Sequence, residues 1–310
     1  MKVFYYAKRF GHNAMPSFYH KTYFNKLRAY EKECNLKELN RRLDYYFKVN
    51  TSFSLPTQAI AKQDFVRKGR TEYFLDLSQF LVHFKKSYSF AYQFGDNTDV
   101  KPYPCLIKAR PVAQGNENSI LFKLNKYRHF KWVEDKVAYQ DKKDISVWRG
   151  GAYKKLRRDF VEKLWNHPTC DIGQTNKPKE NVPWQKGFLS IVQQLQNKFI
   201  LCPEGNDVAT NLKWVMSSNS LCFMLKPKYE TWFMEGTLEA GKHYVEIAED
   251  YSNLEKVMEY YATHHEAAKK IIRAANEYTM QFRDILFEDL LCLKVLERYG
   301  QMSGQVDFFR

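Results

Sequence analysis

No run of about 18 apolar residues, the length that a transmembrane helix needs, occurs in the 310-residue sequence. The first residues, MKVFYYAKRFGHN, also lack the apolar stretch of a secretory signal peptide. The six cysteines are widely scattered, and no two of them form a C-x-x-C pair. We therefore expect a reduced, cytoplasmic protein without a structural zinc site.

Several motifs that hold cofactors, metals or nucleophiles are also absent. The sequence has neither of the phosphate-binding loops G-x-G-x-x-G and G-x-x-x-x-G-K-[ST], and it has no G-x-S-x-G turn. It has no D-x-D, no H-x-x-x-H and no helix-turn-helix or zinc-finger spacing. The segment KGF at residues 186–188 begins like an RNA-recognition octamer but continues without the stacking aromatics. These absences argue against a metal site and against a nucleic-acid partner.

Positive charge, by contrast, is abundant. The formal net charge is +14 and the pI is about 9.3. Residues 1–50 hold eleven Lys and Arg against four Asp and Glu, with Tyr and Phe between them. Nucleic acid, phosphorylated sugars, nucleotide-sugars and anionic membranes are all partners that such a charge attracts, while a general solubility charge is the alternative. The basic, aromatic-rich N-terminal region favours contact with a membrane surface or another polyanion.

The order of apolar runs predicts the fold class. Short strand-like runs occur at residues 89–94, 105–108 and 119–124. From about residue 144 the pattern changes, because DISVWRGG reads as a strand and LRRDFVEKLW as an amphipathic helix. Residues 198–225 then give strand, loop, helix and strand. This alternation predicts an α/β architecture with parallel strands.

Helix starts are predicted from two sequence patterns near the C-terminus. Ser252–Glu255 and Thr263–Glu266 both fit a capping box, so a helix is expected to begin at each. The last residues, 281–310, contain Phe282, Leu290 and Leu291 and predict a final packed helix.

The loop PEGND, which follows the buried run FILC, has the composition of a phosphate site. Gly205 allows close approach of the backbone, and Asn206 or Asp207 is predicted to cap a helix over Val208–Met216. The N-terminus of that helix would attract an anion, and Lys213 would reach a phosphate. An ordinary strand-to-helix turn is the alternative.

A second loop, WRGG at residues 148–151, ends another predicted strand. Four basic residues follow it into the next helix: Lys154, Lys155, Arg157 and Arg158. A solvated helix face accounts for Lys154 and Lys155. It does not account for Arg149, because an arginine directly after an apolar strand needs an anionic partner. Ligands of open α/β sheets bind beyond the carboxyl ends of strands, so both loops point to one anionic ligand.

Carboxylates near strand ends are the candidates for acid–base work. Asp96 and Asp99 follow a predicted strand, and Asp96 comes directly after Gly95. A catalytic base and an Asx-turn residue both fit that position.

Four blocks occur in order: ISVWRGG with LRRDFVEKLW, KFILCPEGNDVATNLKWVMSSNSLCFML, KYETWFMEGTLEAGKHYVEI, and SNLEKV. Over about residues 89–280 their order and spacing resemble glycosyltransferase family 90, and most of all its bacterial lipopolysaccharide branch. The family also contains protein O-glucosyltransferases and capsule xylosyltransferases. The resemblance implies an α/β fold of the GT-B type, with two Rossmann-like domains facing a cleft. It also implies a UDP-sugar donor, inversion at the anomeric carbon, no metal and no other cofactor.

On this basis we expect three parts in the chain. Residues 1–143 form a basic, aromatic-rich acceptor-side domain, and residues 144–280 form a Rossmann-like domain that binds the UDP-sugar. Residues 281–310 form a C-terminal helix that returns to the N-terminal domain.

The resemblance also implies roles for single residues. The family's base falls on Asp96, with Asp99 as the rival. The expected donor-binding residues are Arg149, Gly150, Arg158, Gly205, Asn206, Asp207, Asn211, Lys213, Glu230 and Glu235. The expected acceptor-binding residues are Lys108, Arg110 and His129.

One position departs from the family pattern. In the glucosyltransferase branch, an arginine on the helix after the PEGND loop binds the donor diphosphate. Asn211 stands at that position here. We therefore expect Lys213, Arg149, Arg158 and backbone amides to share the diphosphate.

The favoured hypothesis is a cytoplasmic, inverting, UDP-sugar-dependent hexosyltransferase that extends the core of lipopolysaccharide or lipooligosaccharide. It would lie peripherally on the anionic inner face of the inner membrane. One alternative keeps the fold but takes a capsule or protein acceptor. Another is a non-catalytic basic protein that binds nucleic acid or membrane. The motifs leave the donor sugar open among glucose, galactose and xylose.

Overall fold

The computed structural model describes residues 2–177 and 181–310. They form two compact units. Unit 1 contains the residues up to Arg128, together with Tyr229–Phe233 and Phe282–Arg310. Unit 2 contains His129–Lys228 and Met234–Gln281.

The helices are α1 (Lys2–Ala14), α2 (Ser17–Glu33), α3 (Leu36–Tyr46), α4 (Thr71–Leu81), α5 (Lys126–His129), α6 (Lys155–Leu164), α7 (Ile191–Gln194), α8 (Leu212–Met216), α9 (Leu254–Thr263), α10 (His265–Met280) and α11 (Ile285–Met302). Short 3₁₀ turns occur at Lys62–Asp64, Tyr139–Asp141 and Glu235–Thr237. None of the helices in the described part of the chain is long and apolar enough to span a bilayer.

The strands are β1 (Ile60–Ala61), β2 (Ser89–Phe90), β3 (Tyr92–Gln93), β4 (Cys105–Ile107), β5 (Ala109–Pro111), β6 (Ser119–Leu121), β7 (Lys143–Gly150), β8 (Cys170–Gln174), β9 (Asn197–Leu201), β10 (Leu221–Met224), β11 (Tyr229–Thr231) and β12 (Val245–Glu246).

Unit 1 is built from helices around short strands. Its three-stranded sheet is parallel, in the order β3-β4-β6. β5 pairs antiparallel with β11, which places Glu230 opposite Arg110. α11 is buried over most of its length, as expected of a helix inside a core, and its residues from Leu290 to Cys292 are fully buried. The ring of Trp232 stacks on Tyr46 of α3 at 3.8 Å between centroids.

Unit 2 contains a five-stranded, all-parallel sheet in the order β12-β10-β9-β7-β8. β9 and β10 read NKFIL and LCFM and are buried along their whole length, as is typical of parallel strands covered on both faces. Trp148, Phe199 and Phe223 of this sheet form one core with Phe160 of α6 and Ile271 of α10. The α/β class with parallel strands is therefore confirmed.

The strand order of unit 2 reverses next to β7. From β7 the chain passes through α6 to β8 on one side, whereas β9, β10 and β12 lie on the other side. At such a point the loops that leave neighbouring strands diverge and open a crevice at the carboxyl end of the sheet. A ligand of unit 2 is therefore expected beyond Gly150 and Leu201, where β7 and β9 end.

The helix predicted over Val208–Met216 is shorter than expected. α8 has five residues and begins at Leu212, so neither Asn206 nor Asp207 caps it. A helix this short presents no N-terminal anion site, and that part of the prediction is wrong.

The two predicted capping boxes are also wrong. The N-cap positions of α9 and α10 are Asn253 and His264, and neither side chain caps its helix. The hydroxyl of Ser252 donates to Asp250 instead, and that of Thr263 donates to carbonyls in the last turn of α9. These short side chains therefore bond to their local neighbours.

Candidate active site

Asp96 lies in unit 1, in the loop after β3. Its Oδ1 accepts a hydrogen bond from the hydroxyl of Tyr73 at 2.9 Å and one from the ammonium of Lys108 at 2.5 Å. The side chain of Lys108 is 2% exposed, whereas that of Asp96 is 24% exposed. Asn125 donates to the Tyr73 hydroxyl in turn, at 3.4 Å. Both contacts to the carboxylate fall on Oδ1, which leaves Oδ2 to accept from a substrate.

The protonation state of Asp96 follows from these contacts. Burial by itself raises the pKa of Asp96, but the Lys108 ammonium and the hydrogen bond from Tyr73 outweigh burial and hold the pKa below its usual value. Burial raises the pKa of Tyr73 to about 12, so this hydroxyl is a neutral donor. Asp96 is therefore an ionised carboxylate at neutral pH, the form that accepts a proton.

The rival carboxylate, Asp99, has a different environment. It is exposed, and its backbone N–H donates to Oδ1 of Asn97 at 2.8 Å. That contact is an Asx-turn formed by the side chain of Asn97, and not by Asp96, for which the sequence left an Asx-turn open.

Two residues predicted for opposite substrates, Arg110 and Glu230, meet in unit 1. Nε of Arg110 donates to Oε1 of Glu230 at 2.6 Å, and the side chains are 0% and 2% exposed. Other guanidinium hydrogens bond the carbonyls of Tyr45 and Ser119. The pair therefore ties α3, β5 and β11 together inside the unit. His129, the third acceptor candidate, is buried at the end of α5.

Arg157 occupies the crevice of unit 2. From the first turn of α6 its guanidinium donates to the carbonyls of Gly151 at 3.3 Å, Pro203 at 3.0 Å and Glu204 at 3.1 Å. It therefore bridges the loop after β7 and the loop after β9. A Cβ on Gly205 would lie 2.9 Å from Cζ of Arg157, so only glycine fits there without displacing the guanidinium.

Arg149 also has partners within unit 2. Its Nη2 contacts the Asp171 carboxylate at 2.7 Å, and its Nε donates to the carbonyl of Gly187 at 3.1 Å. Lys186 contacts the same carboxylate at 3.0 Å. The sequence predicts an anionic partner for Arg149, and the carboxylate of Asp171 is such a partner. Gly150 ends β7, where a Cβ would collide with the indole of Trp148 at 2.5 Å.

The PEGND loop is held by its own hydrogen bonds. The N–H of Gly205 donates to the carbonyl of Asp207 at 2.8 Å, and the amide of Asn211 donates to the carbonyl of Leu201 at 2.9 Å. Asp207 is buried, while Asn206 is exposed. Asn211 therefore fixes the end of β9 to the start of α8.

Lys213 and Glu235 form a second buried ion pair. Their charged atoms are 2.5 Å apart, and the side chains are 0% and 1% exposed. The pair joins α8 to the 3₁₀ turn at Glu235–Thr237 inside unit 2. Arg158, by contrast, is exposed, and it donates to the carbonyl of Tyr153 at 2.8 Å.

Arg158 is among the donor-binding residues expected from the sequence, whereas Arg157 is not. The signal that separates them is helix phase. Arg157 lies three, four and seven residues before Phe160, Val161 and Leu164, the buried positions of α6, so it shares their face. Arg158 is one position off this face and points to solvent.

The described residues contain no cluster of three His, Cys, Asp or Glu side chains that is arranged to hold a metal ion. Residues 124–304 match the family described as Glycosyl transferase family 90. The chain belongs to this family. It is also 40% identical over 261 residues to a protein named O-glucosyltransferase LpsA from Dichelobacter nodosus, an alignment that covers 84% of this chain and 82% of the relative.

Membership of glycosyl transferase family 90 confirms the resemblance seen in the motifs and makes the protein a glycosyltransferase. The family 90 match includes both loops of the unit 2 crevice, with Arg157 and Gly205. Asp96 and Lys108 precede the matched residues.

Proposed function

We propose that this glycosyltransferase moves a hexose from a UDP-sugar to a hydroxyl of a lipopolysaccharide or lipooligosaccharide core, with inversion. The relative named O-glucosyltransferase LpsA favours O-linked transfer and, among the hexoses, glucose. The observation that carries the proposal is the guanidinium of Arg157, which lies at the reversal point of a parallel sheet, between the ends of β7 and β9.

The fold proposed with this function is GT-B. Its Rossmann-like donor domain is assigned to residues 144–280, and the five-stranded parallel sheet of unit 2 supports that assignment. The acceptor-side domain is assigned to residues 1–143 and the returning C-terminal helix to residues 281–310.

In the donor site, Arg157 binds the diphosphate. An arginine offers planar, bidentate hydrogen bonding to phosphate oxygens and stays charged at any physiological pH. Asn211 cannot supply that charge, and its amide is engaged by the carbonyl of Leu201. Arg157 extends from α6 to the loop after β9. The positive charge for the diphosphate therefore comes from α6 and not from α8, the helix that follows this loop. Arg149 and Arg158 add positive charge near the end of β7.

The remaining donor candidates shape this site. Gly150 leaves room for the indole of Trp148, and Gly205 leaves room for the guanidinium of Arg157. Asn206 and Asp207 are assigned to the ribose or the sugar hydroxyls. Lys213 and Glu235 are assigned a supporting role there, because they form a buried ion pair inside unit 2. Glu230 forms a buried ion pair inside unit 1 and is assigned a supporting role in that unit.

The proposed chemistry is a single displacement with Asp96 as general base. Oδ2 of Asp96 takes the proton from the acceptor hydroxyl while that oxygen attacks the anomeric carbon. The bond between the anomeric carbon and the β-phosphate oxygen breaks, and the electron pair leaves with UDP. The cations of the donor site stabilise the charge on the departing diphosphate. Lys108 and Tyr73 keep Asp96 ionised and oriented.

The proposed location is the cytoplasmic face of the inner membrane. The basic composition of residues 1–50 supports it, since anionic lipids attract clustered Lys and Arg.

Two measurements test the function. UDP is expected to raise the midpoint of thermal unfolding in the presence of a chelator, because a ligand that binds only the folded state stabilises it. UDP release is then measured with UDP-glucose, UDP-galactose and UDP-xylose, each with truncated lipopolysaccharide as acceptor. UDP-glucose is expected to give the highest rate. Absence of any nucleotide effect, or release only with a protein or capsule acceptor, would contradict the proposal.

A further inference from the structure

Three apolar side chains around the start of α2 are exposed to solvent. Phe18 is 71% exposed, Met15 is 45% exposed and Tyr19 is 40% exposed. Met15 lies two residues before the helix, whereas Phe18 and Tyr19 lie in its first turn. Large exposed apolar groups that are adjacent in this way form a patch, which marks a contact surface more often than scattered single residues do. We refer to Met15, Phe18 and Tyr19 as the apolar edge.

A basic pocket adjoins the apolar edge. Lys21, one turn after Phe18, lines a cavity together with Arg310. Arg310 also lines a second cavity, whose other basic residues are Lys62, Lys85 and Lys86. We refer to Lys62, Lys86 and Arg310 as the basic pocket. All of these residues belong to unit 1.

The charges in the basic pocket are poorly compensated. The ammonium of Lys85 is paired with Asp307. The ammonium of Lys62 instead donates to the carbonyl of Phe84 at 2.6 Å. Burial, reinforced by repulsion from Arg310 and Lys86, lowers the pKa of Lys62 to about 8. A bound anion would relieve this repulsion and raise the pKa of Lys62 again.

We propose that the apolar edge and the basic pocket together dock unit 1 on an anionic phospholipid bilayer. Phe18 and Met15 enter the boundary between headgroups and acyl chains, while Lys62, Lys86 and Arg310 bind lipid phosphates. Aromatic and apolar groups beside clustered cations are the combination that interfacial membrane binding uses. This inference rests on the membrane location proposed above and names the residues that produce it.

A bilayer fits this surface better than a protein does. The apolar edge consists of only three side chains and forms no groove, whereas a stable protein interface needs roughly 800 Å² from each partner. The cavity beside it is strongly basic, since Lys62, Lys85, Lys86 and Arg310 line it. Anionic lipid phosphates complement the charge of this cavity.

Vesicle co-sedimentation of the full chain tests the proposal. Wild-type protein is expected to bind phosphatidylcholine vesicles that contain phosphatidylglycerol and to leave pure phosphatidylcholine vesicles unbound. Lys62→Gln with Lys86→Gln should weaken binding about 25-fold, since each lysine near a membrane contributes about fivefold. Phe18→Ser should weaken it about tenfold.

Matched controls separate this surface from general charge and apolarity. Lys32→Gln with Lys37→Gln removes two charges from exposed positions farther along unit 1. Ile285→Ser removes an apolar side chain that is 72% exposed, nearly as exposed as Phe18. Both controls should bind within about twofold of wild type. Equal losses in test and control variants would overturn the proposal.

Transfer to a soluble truncated oligosaccharide, measured on the same variants, separates this inference from the proposed function. It should be unchanged in Phe18→Ser and in Lys62→Gln with Lys86→Gln. Transfer without any vesicle binding would overturn the docking surface alone. Vesicle binding without transfer would overturn the proposed function alone.

Discussion

The ammonium of Lys108 lies 2.5 Å from Oδ1 of Asp96, and the lysine is almost completely buried while the aspartate reaches solvent. The two residues are separated by twelve positions in the chain. This contact decides the protonation of Asp96, because burial pushes the pKa up and the lysine, with Tyr73, pulls it below its usual value. A base held in this way is always ionised at neutral pH but is intrinsically weak.

Removing the charge of Lys108 should therefore change the pH dependence of the reaction. In Lys108→Gln, burial is left as the main influence, so the pKa of Asp96 rises and the acid limb of kcat/KM moves to higher pH. Tyr73→Phe removes a neutral hydrogen bond and should move the limb in the same direction by less. The measurement is a pH–rate profile for each variant. An acid limb that stays at its wild-type position in Lys108→Gln would show that Asp96 is not the titrating base.

Matched substitutions can show which carboxylate of the loop after β3, Asp96 or Asp99, is the catalytic base. Asp96→Asn keeps the shape of the side chain but cannot take a proton, so kcat should fall by about 10²–10⁴. Asp99→Asn changes an exposed carboxylate and should keep kcat within a few-fold of wild type. Stabilisation by UDP, measured by thermal unfolding, should be retained in both. A large loss of kcat in Asp99→Asn with an active Asp96→Asn would exchange the roles.

The close approach of Arg157 to Gly205 gives a test of the donor site. In Gly205→Ala the new methyl group would lie 2.9 Å from Cζ of Arg157, so the guanidinium must move. We expect UDP to bind about tenfold more weakly by calorimetry, and Arg157→Gln to have an effect at least as large. Gly187→Ala is the matched control, because a Cβ there meets nothing within 4 Å. Unchanged UDP affinity in Gly205→Ala and Arg157→Gln would place the diphosphate elsewhere.

The sequence predicts the five-stranded sheet of unit 2 well for a physical reason. Strands covered on both faces are continuous apolar runs, so FILC and LCFM can be read directly as β9 and β10. Gly205 can also be recognised from the sequence as a turn residue, because glycine is common in the turn that follows a buried strand. Caps are less predictable than helix starts, because α9 and α10 begin at Leu254 and His265, two residues after the predicted caps. Ser252 and Thr263 have capping patterns, but their hydroxyls bond to nearer neighbours.

The pairing of distant charges could not be predicted from the sequence. Arg110 and Glu230 are 120 positions apart and become opposite one another only when β5 pairs with β11. Arg149 needs an anion by its position, but the sequence does not say that Asp171 on the neighbouring strand supplies it. The helical periodicity of α6, by contrast, can be read from the sequence. It places Arg157 on the buried face of the helix and Arg158 on the exposed face.

The buried pair of Lys213 and Glu235 provides the last test, because it separates a structural role from donor binding. Lys213→Met leaves Glu235 buried without its partner and should lower the free energy of unfolding by about 3–5 kcal/mol. Lys213→Met with Glu235→Leu removes both charges and should recover most of that loss. Urea denaturation measures both effects. Lys242→Met, which breaks an exposed pair with Glu239, should leave the midpoint unchanged.

The UDP affinity of the double variant tests the role of the pair of Lys213 and Glu235. If this pair only supports the fold, the double variant binds UDP as wild type does. A double variant that folds but no longer binds UDP would assign the diphosphate contact to Lys213, as the order of motifs suggests.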